Sequence, residues 1–171
     1  MKWFDYVQWT VETAKYKGVG EPNAYVRLGL VDEAGEVCGK VKKFLRDNTC
    51  EEKLKEDLLA ECGDVFWYLA RYLQDWRILE DEIKKIPHAP NRSYKLEDLP
   101  DLALIVSTEC CDIMASSDIK EMSFYSKYVY RYLQAILSAV DLTVYECLKY
   151  NKEKLMSRKS RDKISGSGDN R

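Results

Sequence analysis

Apolar residues recur along most of the chain at the three- and four-residue spacing of a helix face. Leu30, Ala34, Val37, Val41 and Phe44 form one such stripe and predict a helix over about Tyr25 to Arg46. An earlier helix is predicted from about Trp3 to Tyr16, ending before Lys17-Gly18-Val19-Gly20-Glu21-Pro22. Asp47-Asn48-Thr49-Cys50 breaks the pattern, and Thr49 ahead of Glu51-Glu52 is the predicted N-cap of a third helix, about Glu51 to Ile83. The proline-bearing segment Ile86 to Pro100 reads as a loop, and a fourth helix follows from about Leu99 to Ser116. Between Ile119 and Arg161 there is neither glycine nor proline, which predicts one very long helix or two joined near Asp141, the best available cap. The end of the chain, about 162–171, reads by composition as a flexible tail. Together these elements predict a single all-α domain over residues 1–171, built as a helical bundle.

Composition changes the picture mainly through what is scarce. The 171 residues include one histidine, His88, between Pro87 and Pro90. A histidine-rich zinc site is excluded, as is a di-iron bundle that takes a histidine from each of two helices. A Ser-His-Asp or Cys-His centre would have to use a histidine in a proline-flanked loop. The six cysteines form no C-x-x-C pair, sit mostly in apolar helical patterns, and read as reduced core residues. Met1-Lys2-Trp3-Phe4-Asp5 lacks the apolar run of a signal peptide and no stretch approaches eighteen apolar residues, so a cytoplasmic protein without a membrane span is expected. Net charge is −2, but Lys149 to Arg171 holds eight basic residues against three acidic ones, which leaves an acidic body. That division suits a polyanion bound through a metal and suits duplex nucleic acid poorly.

The chemistry is concentrated in two acidic pairs. Glu33 and Glu36 in the second helix, and Glu61 and Asp64 in the third, are each spaced i,i+3, which puts both carboxylates of a pair on one face. Antiparallel packing of the two helices would converge four carboxylates, the oxygen-only donor set that Mg²⁺ or Mn²⁺ prefers. Acidic i,i+3 pairs are common on solvated helices, so the context matters. Asp57, Glu61, Asp64, Tyr68 and Arg71 form one narrow polar stripe on an otherwise apolar helix, and an acidic stripe on an enclosed helix needs a counter-charge. The matching stripe of the second helix is Gly29, Glu33, Glu36, Lys40 and Lys43, with carboxylates first and ammonium groups one to two turns later. Gly35 and Gly39 are expected to admit a neighbouring backbone. Tyrosines 125, 128, 130, 132, 145 and 150 read as packing or interface residues. A weak echo of the first half follows: Leu102-Ala103-Leu104-Ile105 is similar to Leu28-Gly29-Leu30-Val31, and Asp141 with Tyr145 is similar to Asp64 with Tyr68.

These motifs resemble the MazG-like all-α nucleoside triphosphate pyrophosphohydrolases. Leu28-Gly29-Leu30-Val31-Asp32-Glu33-Ala34-Gly35-Glu36-Val37 is similar to that family's G-L-x-E-E-A-G-E-V segment. Glu61-Cys62-Gly63-Asp64-Val65-Phe66-Trp67-Tyr68-Leu69 is similar to its E-L-G-D-V-L-W-Y-L half. Tyr6 with Thr13 fits the first helix, and Asn151-Lys152-Glu153-Lys154-Leu155-Met156-Ser157-Arg158 with the Gly166-Ser167-Gly168-Asp169-Asn170-Arg171 ending resembles phage and bacterial members. The chain departs from the family at Asp32, where the first Glu of the usual pair stands, and in a helical insertion at about 80–140, readable as a degenerate repeat, a dimerisation element or a lid.

The resemblance implies hydrolysis of a nucleoside triphosphate, a deoxy- or non-canonical one, to monophosphate and pyrophosphate in nucleotide-pool housekeeping. It implies Mg²⁺ or Mn²⁺ on Glu33, Glu36, Glu61 and Asp64, and a homodimer or homotetramer. One of the four carboxylates would act as general base. Lys40, Lys43, Lys154, Arg158 and Arg171 are candidates for phosphate, and Tyr68 and Asn151 for sugar or base. Trp9 and Trp67 read as core residues with base stacking as the alternative. The competing expectation is a non-catalytic helical interaction module that uses the insertion and the tyrosine-rich segment as its surface.

Overall fold

The computed structural model describes residues 1–47, 49–78 and 93–163. Among these residues there are six α-helices and no strand: α1 (Trp3–Trp9), α2 (Ala24–Asp47), α3 (Glu51–Asp75), α4 (Leu99–Ala115), α5 (Ile119–Ala139) and α6 (Val144–Ser160). The all-α bundle read from the sequence is therefore the observed fold. No described helix is long and apolar enough to cross a membrane. His88, the 79–92 segment that holds it, and residues 164–171 with Arg171 lie outside the described residues.

Helices α2 to α5 form a ring in which each runs antiparallel to its neighbours. Lys40 of α2 lies beside Asp57 of α3. Arg27 and Cys38 of α2 reach Met114 and Ala103 of α4. The three-residue link 116–118 turns α4 back into α5, and Phe66 of α3 meets Tyr130 of α5 at 5.3 Å between ring centroids. Val26, Leu30, Ala34 and Val37 of α2 and Leu58, Val65, Phe66 and Leu69 of α3 are fully enclosed with Val106, Val129, Leu133 and Ile136 from α4 and α5. Burial of each such side chain contributes about 1.5–3 kcal/mol. The described part of the 80–140 segment thus supplies, as α4 and α5, the second hairpin of the ring. Helix α6 lies along the outer side of α3 and parallel to it, with Cys147 beside Leu59 and Asn151 beside Gly63, and Trp3 of α1 packs on Phe66 and Tyr130.

Several element ends differ from the sequence reading, each for a local reason. The first helix stops at Trp9 and continues as a 3₁₀ turn, Thr10–Thr13. There the Thr10 and Thr13 hydroxyls donate to the carbonyls of Val7 and Thr10, a competing local pattern. The N-cap of α3 is Cys50 rather than Thr49, and it makes no side-chain cap. Helix α3 ends at Asp75 and not near Ile83, because Arg77 turns to φ +54° and the Ile78 amide bonds back to the Leu73 carbonyl. Asp141 plays the same part after α5, at φ +56°, with Leu142 bonding back to Leu137. It closes one helix instead of capping the next, so the 119–161 segment is two helices. The cap of α6 is Thr143, in a reciprocal pair with Glu146. Asp141 is exposed in the turn and Tyr145 is exposed on α6, so the echo of Asp64 and Tyr68 has no structural counterpart.

Candidate metal centre

The antiparallel pairing of α2 and α3 brings their two polar stripes face to face. One carboxylate oxygen from each of Glu33, Glu61 and Asp64 lies within 4.8 Å of the others. Glu61 is buried at 8% exposure even though it is acidic. Burial pushes the Glu33 carboxyl up to about 8, and the neighbouring charges of Asp64, Glu36 and Glu61 push the same way against Lys154. Three carboxylate groups, one of them pushed toward its neutral form by burial and by its neighbours' charge, match a hard divalent cation in donor type and sign. Glu36 stands outside this trio on the exposed side of α2, where it contributes charge to Glu33.

Two lysines and an amide hold two members of the trio, Glu61 and Asp64. Lys40 Nζ is 3.1 Å from Glu61 Oε1 and 3.6 Å from Asp57 Oδ1. Lys154 Nζ donates to Asp64 Oδ2 at 2.6 Å, and Asn151 Nδ2 donates to Asp64 Oδ1 at 2.7 Å. Asn151, expected at the sugar or base, is fully buried behind Asp64, with its carbonyl accepting from the Tyr6 hydroxyl at 2.6 Å. Lys43 is exposed and does not join the cluster. Lys40, Lys53, Lys154 and Arg158 line a cleft of about 550 Å³ beside Glu61 and Asp64, and Glu56 and Asp57 face the same space.

The other end of the groove is aromatic. Tyr68 lies across Gly29, and its hydroxyl donates to that of Tyr25 at 3.2 Å. Tyr25, half exposed, stacks on Tyr16 with centroids 4.9 Å apart and planes at 23°. Tyr16 is set by a buried network: its hydroxyl donates to Asp75 Oδ2 at 2.6 Å and accepts from Arg71 Nε at 2.9 Å. Asp75 also takes Arg71 Nη2 at 2.6 Å and the Gly20 amide at 2.9 Å, which pins the glycine-bearing loop to α3. Arg71 therefore belongs to this clamp and not to the carboxylates, although it continues their stripe. Trp9 and Trp67 are core residues; the Trp67 indole donates to Thr13.

The close approaches fall at different glycines from those expected. A β-carbon on Gly35 or Gly39 meets nothing within 4 Å, whereas one on Gly29 would lie 2.1 Å from the Tyr68 ring and one on Gly63 2.9 Å from Asn151. Tyr6, Tyr16, Tyr25 and Lys53 border the site without having been marked as site residues by spacing. The available signal was positional: Tyr25 precedes Gly29 and Glu33 on the same α2 face at i,i+4 steps.

No protein-family model matches the chain, and no solved structure matches it. Over 67 residues the chain is 46% identical to the Gene 37 protein of Mycobacterium phage L5. That stretch is 35% of this chain and 59% of the phage protein, so the chain spans less than two thirds of the length of the relative it matches.

Proposed function

We propose that the chain is a metal-dependent nucleoside triphosphate pyrophosphohydrolase of the MazG-like type. The observation that carries this reading is the convergence of Glu33, Glu61 and Asp64 between an aromatic ledge and a cleft that Lys40, Lys53, Lys154 and Arg158 line together with acidic side chains. A helix rise of 1.5 Å per residue sets about 12 Å along α2 between Tyr25 and Glu33, and about 10 Å between Glu33 and Lys40. A planar base, a phosphate bridge and a polyphosphate end fit that order.

Glu33, Glu61 and Asp64 would hold a hard divalent cation, which would supply Lewis acidity to phosphoryl oxygen and make water easier to deprotonate. The chain's own groups provide the rest. Tyr25 offers an open ring face to a base. Lys40, Lys154 and Arg158 offer charge-assisted hydrogen bonds to the β and γ phosphates, where charge grows as the α–β bridge breaks. Water oxygen adds to the α phosphorus, the bridging P–O bond breaks, pyrophosphate leaves into the cleft, and the water proton passes to a carboxylate or to solvent.

The test is a panel of standard and modified nucleoside triphosphates with Mg²⁺, read as monophosphate plus pyrophosphate, for the parent chain and Glu61→Gln. Turnover of at least one nucleotide by the parent and none by a folded Glu61→Gln is expected. No product from any nucleotide would sink the proposal in favour of a non-catalytic helical module.

A further inference from the structure

Asp64 enters the carboxylate trio with both oxygens already engaged from α6, by Asn151 and Lys154. Behind Asn151 stands Tyr6 of α1, whose hydroxyl donates to the Asn151 carbonyl at 2.6 Å across 145 residues of chain. Neither Tyr6 nor Asn151 has any exposure. The direction of this relay follows from its charged end. A carboxylate only accepts, so the amide must turn its NH₂ toward Asp64, and the carbonyl that then points away needs a donor because no water reaches it. Tyr6 is that donor. Burial, with the nearby Cys147 and Asp64 adding to it, raises the phenol well above its ordinary value, which keeps its proton in place. Gly63 leaves room for Asn151 to sit this close to α3, since a β-carbon there would fall 2.9 Å from the Asn151 β-carbon.

We infer that Tyr6 is a positioning residue for the metal centre: through Asn151 its hydroxyl sets the rotation of the Asp64 carboxylate and so the geometry in which Glu33, Glu61 and Asp64 hold a divalent cation. The inference rests on the trio being a metal centre and needs nothing from the substrate assignment. Outer hydrogen-bond partners of metal ligands change affinity by about 10- to 100-fold when removed.

The experiment is Mn²⁺ binding to the full chain, followed by the electron paramagnetic resonance signal of free Mn²⁺, for the parent, Tyr6→Phe, Asn151→Ala and the double variant. Tyr6→Phe removes one oxygen and keeps the ring against Trp3 and Trp9. It should weaken Mn²⁺ binding by about tenfold, and Asn151→Ala by that or more. The double variant should be no weaker than Asn151→Ala alone, because Tyr6 acts through Asn151. An unchanged affinity in Tyr6→Phe, or losses that multiply in the double variant, would overturn the relay and leave the metal centre standing. A parent chain that binds no Mn²⁺ would overturn the centre and the relay together. Gly63→Ala approaches from the other side by pushing Asn151 away with Tyr6 intact, and unchanged Mn²⁺ affinity there also overturns the inference.

Discussion

The Tyr68 ring of α3 lies so close over Gly29 of α2 that a β-carbon on the glycine would fall 2.1 Å from it. The contact joins the aromatic end of the groove to the acidic middle, because Glu33 is one turn further along α2. Gly29→Ala must displace the ring, and overpacking of this kind costs about 1–3 kcal/mol. We expect a lower melting temperature and loss of pyrophosphate release. Gly35→Ala, which meets nothing within 4 Å, should be neutral or stabilising by up to about 1 kcal/mol. Thermal unfolding of the two variants side by side checks the contrast.

Glu33 gives the metal-free protein a specific pH response. Its carboxyl is raised from an ordinary 4.5 to about 8 by burial and by Asp64, Glu36 and Glu61. Between those values the unfolded chain has released the proton and the folded chain keeps it, so rising pH favours unfolding. Without metal, the melting temperature should fall from about pH 5 to pH 8 in the parent. The fall should be smaller in Glu33→Gln. Cation binding at pH 7 should release about one proton, which calorimetry in buffers of different ionisation enthalpy will read.

Lys154 stands where a cation would be felt most, 2.6 Å from Asp64 Oδ2. Lys154→Met removes a positive charge that offsets the trio and that also faces the cleft. The two consequences have opposite signs. Mn²⁺ should bind about tenfold more tightly without nucleotide, the equivalent of about 1.4 kcal/mol, while pyrophosphate release should fall. Titration calorimetry and product assays on one preparation check both.

The Arg71–Asp75 pair is enclosed, at 1% and 0% side-chain exposure. Removal of one partner from such a pair costs about 3–5 kcal/mol because the other charge is left buried and uncompensated. Asp75→Ala should lower the melting temperature by about 10 °C, and hydrogen exchange should rise first in 14–23, the loop that Asp75 ties down through Tyr16 and Gly20.

Helix identity and the facing of α2 on α3 were legible because periodicity and charge said the same thing. Leu30, Ala34, Val37 and Val41 form the buried side, and Glu33 lies beside them on the side that meets Asp64. Helix ends were less legible. Arg77, Asp141 and Asp162 all adopt positive φ at helix C-termini, a role the eye assigns to glycine. The glycines that matter sterically could not be told from the others, because Gly29 and Gly63 are distinguished only by what another helix places over them. Asn151 was found by its motif, but its part as a buried holder of Asp64 needed the tertiary contact with Tyr6.

The ring of four helices divides its duties unevenly. Every carboxylate and lysine of the centre comes from α2, α3 or α6, while α4 and α5 contribute enclosure, with Val106, Ile113, Val129 and Leu133 packed inside. The proposed chemistry therefore places the two hairpins under different evolutionary constraint. The second can drift through any substitutions that conserve volume and apolar character, whereas the first is restricted in charge, size and direction at nearly every turn. Among descendants of this chain, sequence divergence should accumulate fastest in the hairpin that the bundle cannot lose.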